Sequence, residues 1–92
     1  MKAAVFLERD GVINEAGIVG GHQEVPLHLD GFQVCKEVRA SLERLKNAGF
    51  LVIVTTNQPG LADGRLCRSE LDLMHSILMR ALPIDDILMC PH

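Results

Sequence analysis

"FLERDGVIN" (residues 6–14) runs an apolar strand end straight into two carboxylates, Glu8 and Asp10, that flank one arginine and precede a glycine. The stretch leading into it, "AAVFL" (Ala3 to Leu7), has a counterpart in "LVIVT" (Leu51 to Thr55). Both are short, almost wholly apolar and rich in branched residues, the pattern of strands buried on both faces of a parallel sheet. Between them Val34, Val38, Leu42 and Leu45 recur at helical spacing, with Glu37, Arg39, Glu43, Arg44 and Lys46 on the polar side and Gly49 as a stop. A long loop from Glu8 to about Gly31 precedes that helix. A second helix is expected over Ser69 to about Leu82, with Leu71, Met74, Leu78 and Leu82 on one stripe, Ser69 and Asp72 resembling a capping box, Glu70 after Cys67 as a competing start, and Pro83 ending it. "DILMC" (Asp86 to Cys90) reads as a third strand. The order β-α-β-α-β predicts an α/β fold: a partial doubly wound, Rossmann-like parallel sheet of three strands with two helices.

The bulk numbers narrow the function classes. With 92 residues the chain is one small domain, residues 1–92, without repeats or a linker. A composition of 48% hydrophobic and 23% charged residues with a net charge of -3 fits a packed globule and disfavours both disorder and a polybasic nucleic-acid surface. The aromatic residues are three Phe, with no Trp or Tyr, so a platform for stacking bases is also missing. Nucleic acid is therefore not an expected partner. The longest apolar run, "FLVIV" at 50–54, falls far short of the ~20 residues of a membrane helix. Charge arrives at Glu8 before a signal-peptide core can form. Cys35, Cys67 and Cys90 are odd in number and irregularly spaced, which argues against a disulfide framework and points to a reducing, cytoplasmic setting.

Ligands of open α/β sheets bind beyond the carboxyl ends of the strands. Three stretches fall there: Glu8 and Asp10 after the first strand, "TTNQPG" (Thr55 to Gly60) after the second, and "CPH" (Cys90 to His92) after the third. Taken singly, each has an ordinary structural reading. Strand-end carboxylates beside an Arg are commonly solvated, "NQPG" is a turn in which Pro59 and Gly60 supply the dihedrals, and a terminal C-x-H seldom binds metal.

Taken together, "FLERDGVIN", "VIVTTNQPGLADGR" and "ILMCPH", in this order, resemble the haloacid dehalogenase superfamily. Within it the likeness is closest to the histidinol-phosphate and heptose-bisphosphate phosphatases, and it covers Ala4 to His92 as the amino-terminal half of such a domain. The resemblance implies a phosphatase acting on a small phosphorylated metabolite through an acyl-phosphate intermediate. Position 8 is then the nucleophile, and Asp10 the general acid and base that protonates the leaving oxygen and later activates water. The first acid and the backbone carbonyl of Asp10 are implied ligands of Mg²⁺. Thr56 is implied to hold phosphoryl oxygens through its hydroxyl and nearby N–H groups, with Asn57 orienting the loop. Cys90 and His92 match the first half of a zinc loop of the form C-x-H followed later by C-x-C. Structural Zn²⁺ takes four ligands, so the pair is an incomplete site unless a second chain supplies the rest. Within "EAGIVGGHQEVPLHLDG" (Glu15 to Gly31), His22 and His28 are candidates to meet a substrate phosphate, with solvated loop histidines as the plainer reading.

Two departures bear on activity. Glu8 stands where the family has aspartate, keeping the charge but pushing the carboxylate outward by one methylene; misplacement on the order of 1 Å can cost ~100-fold in rate. The third-motif lysine and fourth-motif acid of the superfamily match no residue of this sequence. The expectation is impaired turnover, with a non-catalytic phosphate- or metal-binding module as the alternative. Self-association through an apolar strand edge is a further expectation.

Overall fold

The computed structural model describes residues 2–91, apart from the side chains of Val19, His22 and Gln23. Strands β1 (Ala4–Glu8), β4 (Leu51–Asn57) and β5 (Asp86–Cys90) form a parallel sheet in the order β1-β4-β5. Phe6 lies opposite Ile53 and Glu8 opposite Thr55, while Thr55 lies opposite Leu88 and Asn57 opposite Cys90. Helix α1 (Val38–Asn47) links β1 to β4, and helix α3 (Arg68–Ala81) links β4 to β5. The three-strand, two-helix α/β order expected from the sequence is therefore present.

Local details differ from the sequence pattern, each for a physical reason. Val34 belongs to no helix; it forms an isolated bridge with Asn14. Helix α1 begins only at Val38, where its apolar stripe first meets the sheet. Helix α3 begins at Arg68 after Cys67, and no side chain caps it, so Ser69 and Asp72 do not form the expected box. Asp72 instead pairs with Arg68 one turn away, at 3.1 Å. Strand β4 continues two residues past Thr55, and a short helix α2 (Pro59–Ala62) follows, with Pro59 at its first turn.

The long first loop contains a hairpin, β2 (Gly17–Val19) with β3 (His22–Glu24). Gly20 and Gly21 have φ of 59° and 80°, the two left-handed positions of a tight hairpin turn. Further on, a 3₁₀ turn at Leu29–Gly31 is tied to α3, where the Glu70 carboxylate accepts the Leu29 N–H at 2.7 Å. On the far side, Asp85 accepts from both Lys46 (2.6 Å) and the Val52 N–H (2.7 Å), joining α1, β4 and the approach to β5.

Both long helices lie on one face of the sheet. Leu7, Val52, Val54 and Ile87 pack there against Val38, Leu42 and Leu45 of α1 and Leu78 of α3, while Met89 meets Leu71 and Met74. The opposite face carries Phe6, Ile53 and Leu88, with Phe6 62% and Leu88 49% exposed. This corrects the expectation of strands buried on both faces, because among the described residues no element covers the second side. The apolar runs of β1 and β4 thus hide an alternation that the structure makes plain. Strand β1 lies at one edge of the sheet.

The two faces should respond differently to substitution. Leu78→Ala removes a fully buried side chain and should cost ~2–5 kcal/mol. Phe6→Ser, on the open face, should change stability by no more than ~0.5 kcal/mol. Urea unfolding of the two variants checks this; equal losses would contradict the one-sided core.

Candidate functional site

A cleft of about 170 Å³ opens beyond the carboxyl ends of β1 and β4, lined by Glu8, Asp10, Thr55, Thr56 and Asn57 and flanked by Val25. The chain reaches it through a tight turn. The Arg9 carbonyl accepts from the N–H groups of Ile13 (2.8 Å) and Asn14 (3.1 Å), and the Gly11 N–H donates to the Asn14 carbonyl at 2.8 Å. Gly11 has φ of 82°, a conformation that a side chain would strain. Ile13 is fully buried and anchors the turn in the core.

The turn sends the two acids different ways. Glu8 ends β1 exposed at the cleft, on the same face as its neighbour Thr55. Asp10 is only 8% exposed, and its carboxylate is held on both oxygens. Oδ1 accepts from Arg9 Nη2 (2.6 Å), Arg9 Nε (3.1 Å) and Asn14 Nδ2 (3.1 Å). Oδ2 accepts from Gln58 Nε2 at 2.9 Å and lies 3.4 Å from the Thr56 hydroxyl. Gln58 Nε2 also donates to Thr56 Oγ1 at 2.7 Å.

Arg9 is fully buried, and a guanidinium cannot shed its charge, so it needs partners. Asp10 supplies the counter-charge, the Phe32 ring lies 5.3 Å from the guanidinium carbon, and Nη1 approaches the Met74 sulfur at 3.8 Å and His75 Nε2 at 3.2 Å. Arginine has no acceptor, so the last contact is a hydrogen bond only when His75 Nε2 carries no proton. Burial, and then the charge of Arg9, lower the His75 pKa from 6.5 to about 4, against the opposing pull of Asp72 and Asp10.

The residues singled out in the sequence are sorted by this geometry. Glu8, Asp10, Thr56 and Asn57 meet at one cleft, and Thr55, the last residue of the second expected strand, lines it too. Thr56 is buried within β4, on the helix side of the sheet, rather than in a loop. Cys90 is an exposed free thiol at the end of β5. His92 lies outside the described residues, as does the side chain of His22. His28 is exposed and does not line the cleft. Arg9, Asn14, Gln58 and His75 are the residues that pattern reading did not assign to the site. Two of them left a trace: Asn14 stands four residues from Asp10 across a glycine turn, and Gln58 stands two from Thr56, the strand period that puts both on one face.

The donors present suit a hard cation in part. Mg²⁺ is held by one or two carboxylates together with waters and phosphate oxygens. The Glu8 carboxylate and the Asp10 backbone carbonyl are donors of that kind, whereas the Asp10 carboxylate is committed to Arg9, Asn14 and Gln58. Among the described residues no three His, Cys, Asp or Glu side chains cluster as a metal site, so the zinc reading of Cys90 gains no support.

No protein-family model matches the chain. The D-glycero-beta-D-manno-heptose-1,7-bisphosphate 7-phosphatase of Pasteurella multocida (strain Pm70) is 36% identical over 98 residues, covering 100% of this chain and 50% of that protein. The crystal structure of D,D-heptose 1.7-bisphosphate phosphatase from B. bronchiseptica, complexed with magnesium and phosphate, superposes with a TM-score of 0.79 at 31% identity, covering 100% of this chain and 51% of that one. A putative had-like phosphatase from Mesorhizobium loti gives a TM-score of 0.77 at 23% identity over 99% of this chain and 43% of that one, and bears on the fold alone. The chain spans about half the length of the curated relatives it matches. No helix among the described residues is long and apolar enough to cross a membrane.

The buried pair and the histidine each yield a measurable consequence. Asp10→Ala leaves the Arg9 charge buried without its main partner and should cost ~3–5 kcal/mol, while adding Arg9→Met to it should recover much of that loss. A denaturant double-mutant cycle showing simple additivity would contradict the coupling. For His75 the folded state disfavours the proton, so the unfolded chain binds more protons between pH 4 and 6.5 and stability rises with pH across that window. The stabilisation is fully present above pH 6.5 and lost as pH falls to about 4; His75→Gln should flatten that part of the urea-midpoint profile.

Proposed function

We propose that this chain, a haloacid-dehalogenase-type protein related to the heptose-1,7-bisphosphate phosphatases, carries one half of a magnesium-dependent site for hydrolysing a small phosphorylated sugar. The observation that supports it is the convergence of Glu8 and Thr56, from adjacent parallel strands, and of Asp10, from the turn after β1, on one polar cleft. At about 170 Å³ the cleft is smaller than the roughly 300–1,000 Å³ of ordinary ligand pockets. It suits a phosphoryl group, and the sugar then lies outside it.

In this reading the Glu8 carboxylate faces the phosphorus, and attack there forms an acyl phosphate while the sugar oxygen leaves. Asp10, which borders the cleft, exchanges the proton with that oxygen and then with water when its Oδ2 trades the Gln58 contact for the reacting oxygen. Thr55, Thr56 and Asn57 present hydroxyl, amide and backbone groups to the phosphoryl oxygens. The Glu8 carboxylate and the Asp10 carbonyl would hold Mg²⁺, which when bound would supply positive charge against the phosphoryl oxygens.

The extra methylene of Glu8 works against in-line attack. Turnover by the native chain should therefore be at least ~100-fold slower than by Glu8→Asp, with Mg²⁺ and a sugar bisphosphate or p-nitrophenyl phosphate as substrate. Equal rates in the two proteins would overturn the impairment. A second reading, binding of phosphate without turnover, is favoured by the Asp10 carboxylate, held on both oxygens and turned away from solvent. It predicts that phosphate binds to both proteins and that Glu8→Asp gains no hydrolysis. The cytoplasmic setting, and self-association through the edge strand β1, stand as parts of the same proposal. Sedimentation giving a monodisperse monomer would remove the latter.

A further inference from the structure

Gln58 connects three parts of the chain at the strand ends. It follows Asn57, the last residue of β4, and is fully buried. Its backbone N–H donates to the Cys90 carbonyl at the end of β5, at 2.7 Å. Its side-chain nitrogen spends both protons within the cleft wall, one on Asp10 Oδ2 at 2.9 Å and one on Thr56 Oγ1 at 2.7 Å. One residue thus joins the loop after β1, the body of β4 and the end of β5.

The orientation of this amide is informative. Gln58 Oε1 is buried and finds no hydrogen-bond partner among the described residues. Turning the amide over would set that oxygen against the Asp10 carboxylate, acceptor facing acceptor, while still leaving a buried group unmatched. The side chain keeps an unsatisfied acceptor because its donors are fixed by two oxygens that both need them. Arg9 and Asn14 hold only the far oxygen of Asp10, and neither is bonded to Thr56. Gln58 therefore bridges Asp10 and Thr56, beside the direct 3.4 Å contact from the Thr56 hydroxyl to Asp10 Oδ2.

We propose that Gln58 is the positioning residue of the cleft: it locks the Thr56 hydroxyl and the Asp10 carboxylate in one fixed relation and so shapes the phosphate subsite. The role rests on the phosphate-site reading above for its purpose, but the locking itself can be measured without it. In the native chain, NMR should show both Gln58 side-chain amide protons protected from solvent exchange, and three-bond couplings at Thr56 reporting a single χ1 rotamer. Gln58→Met keeps the length and removes both donors; it should average the Thr56 rotamers and weaken inorganic phosphate, titrated with Mg²⁺ present, at least tenfold. Leu78→Ala, a destabilising change remote from the network, should leave the Thr56 rotamer and phosphate affinity as they are in the native chain.

Rapid exchange of the Gln58 amide in the native chain overturns the proposal, and that result does not depend on any variant folding. A single Thr56 rotamer retained in Gln58→Met, or phosphate affinity unchanged there, overturns it as well. If the native chain takes up no phosphate while Gln58→Met frees Thr56, the positioning role stands and the phosphate reading falls.

Discussion

A guanidinium buried beneath the sheet end is the constraint on which the rest of the site depends. Arg9 is wholly out of water, and its charge is met by Asp10 at 2.6 Å. Burying such a charge is tolerated only with a partner in good geometry and with the remaining hydrogen bonds satisfied. From that requirement follow the tight turn through Gly11, the placement of Asn14 beside the carboxylate, and the packing of Phe32, Met74 and His75 around the guanidinium. The acids on either side of Arg9 therefore have separate tasks. Asp10 completes the buried network, and Glu8, one residue before the pair, is left at the open cleft.

The same network couples the site to the fold. Met74 and His75 belong to α3, Phe32 to the segment before α1, and Gln58 to the turn after β4, so each helix connection of the sheet has a residue in contact with Arg9 or Asp10. The helices make this possible by lying on one side, where Leu7, Val54 and Ile87 bring the strands onto them. The other side, with Phe6 and Leu88 outward, contributes little to the core but lies next to Glu8 and Thr55.

Much of the fold was legible because it follows from periodicity. The apolar runs of β1, β4 and β5 and the stripes of α1 and α3 are local patterns, and their order sets the parallel sheet. The open face was not legible, because Phe6 and Ile53 look like core residues in a sequence and only the position of the helices shows otherwise. The hairpin between Gly17 and Glu24 leaves no such pattern, since three-residue strands carry too little alternation to register. Of the site, Glu8, Asp10, Thr56 and Asn57 stood out as polar residues at strand ends. Gln58 looked like a turn residue beside Pro59, and His75 like any polar residue on an amphipathic helix. Their roles come from contacts across 48 and 66 residues of chain, which no local pattern encodes.

The central claim is this division of labour between the two acids, and a crystal structure grown with Mg²⁺ and phosphate tests it most directly. The account predicts phosphate in the cleft between Glu8 and Thr55–Asn57, with the Asp10 carboxylate still gripped by Arg9 on one oxygen and Gln58 on the other. Phosphate bound elsewhere, or an Asp10 side chain swung out of the Arg9–Gln58 grip to take Glu8's place at the cleft, would contradict it.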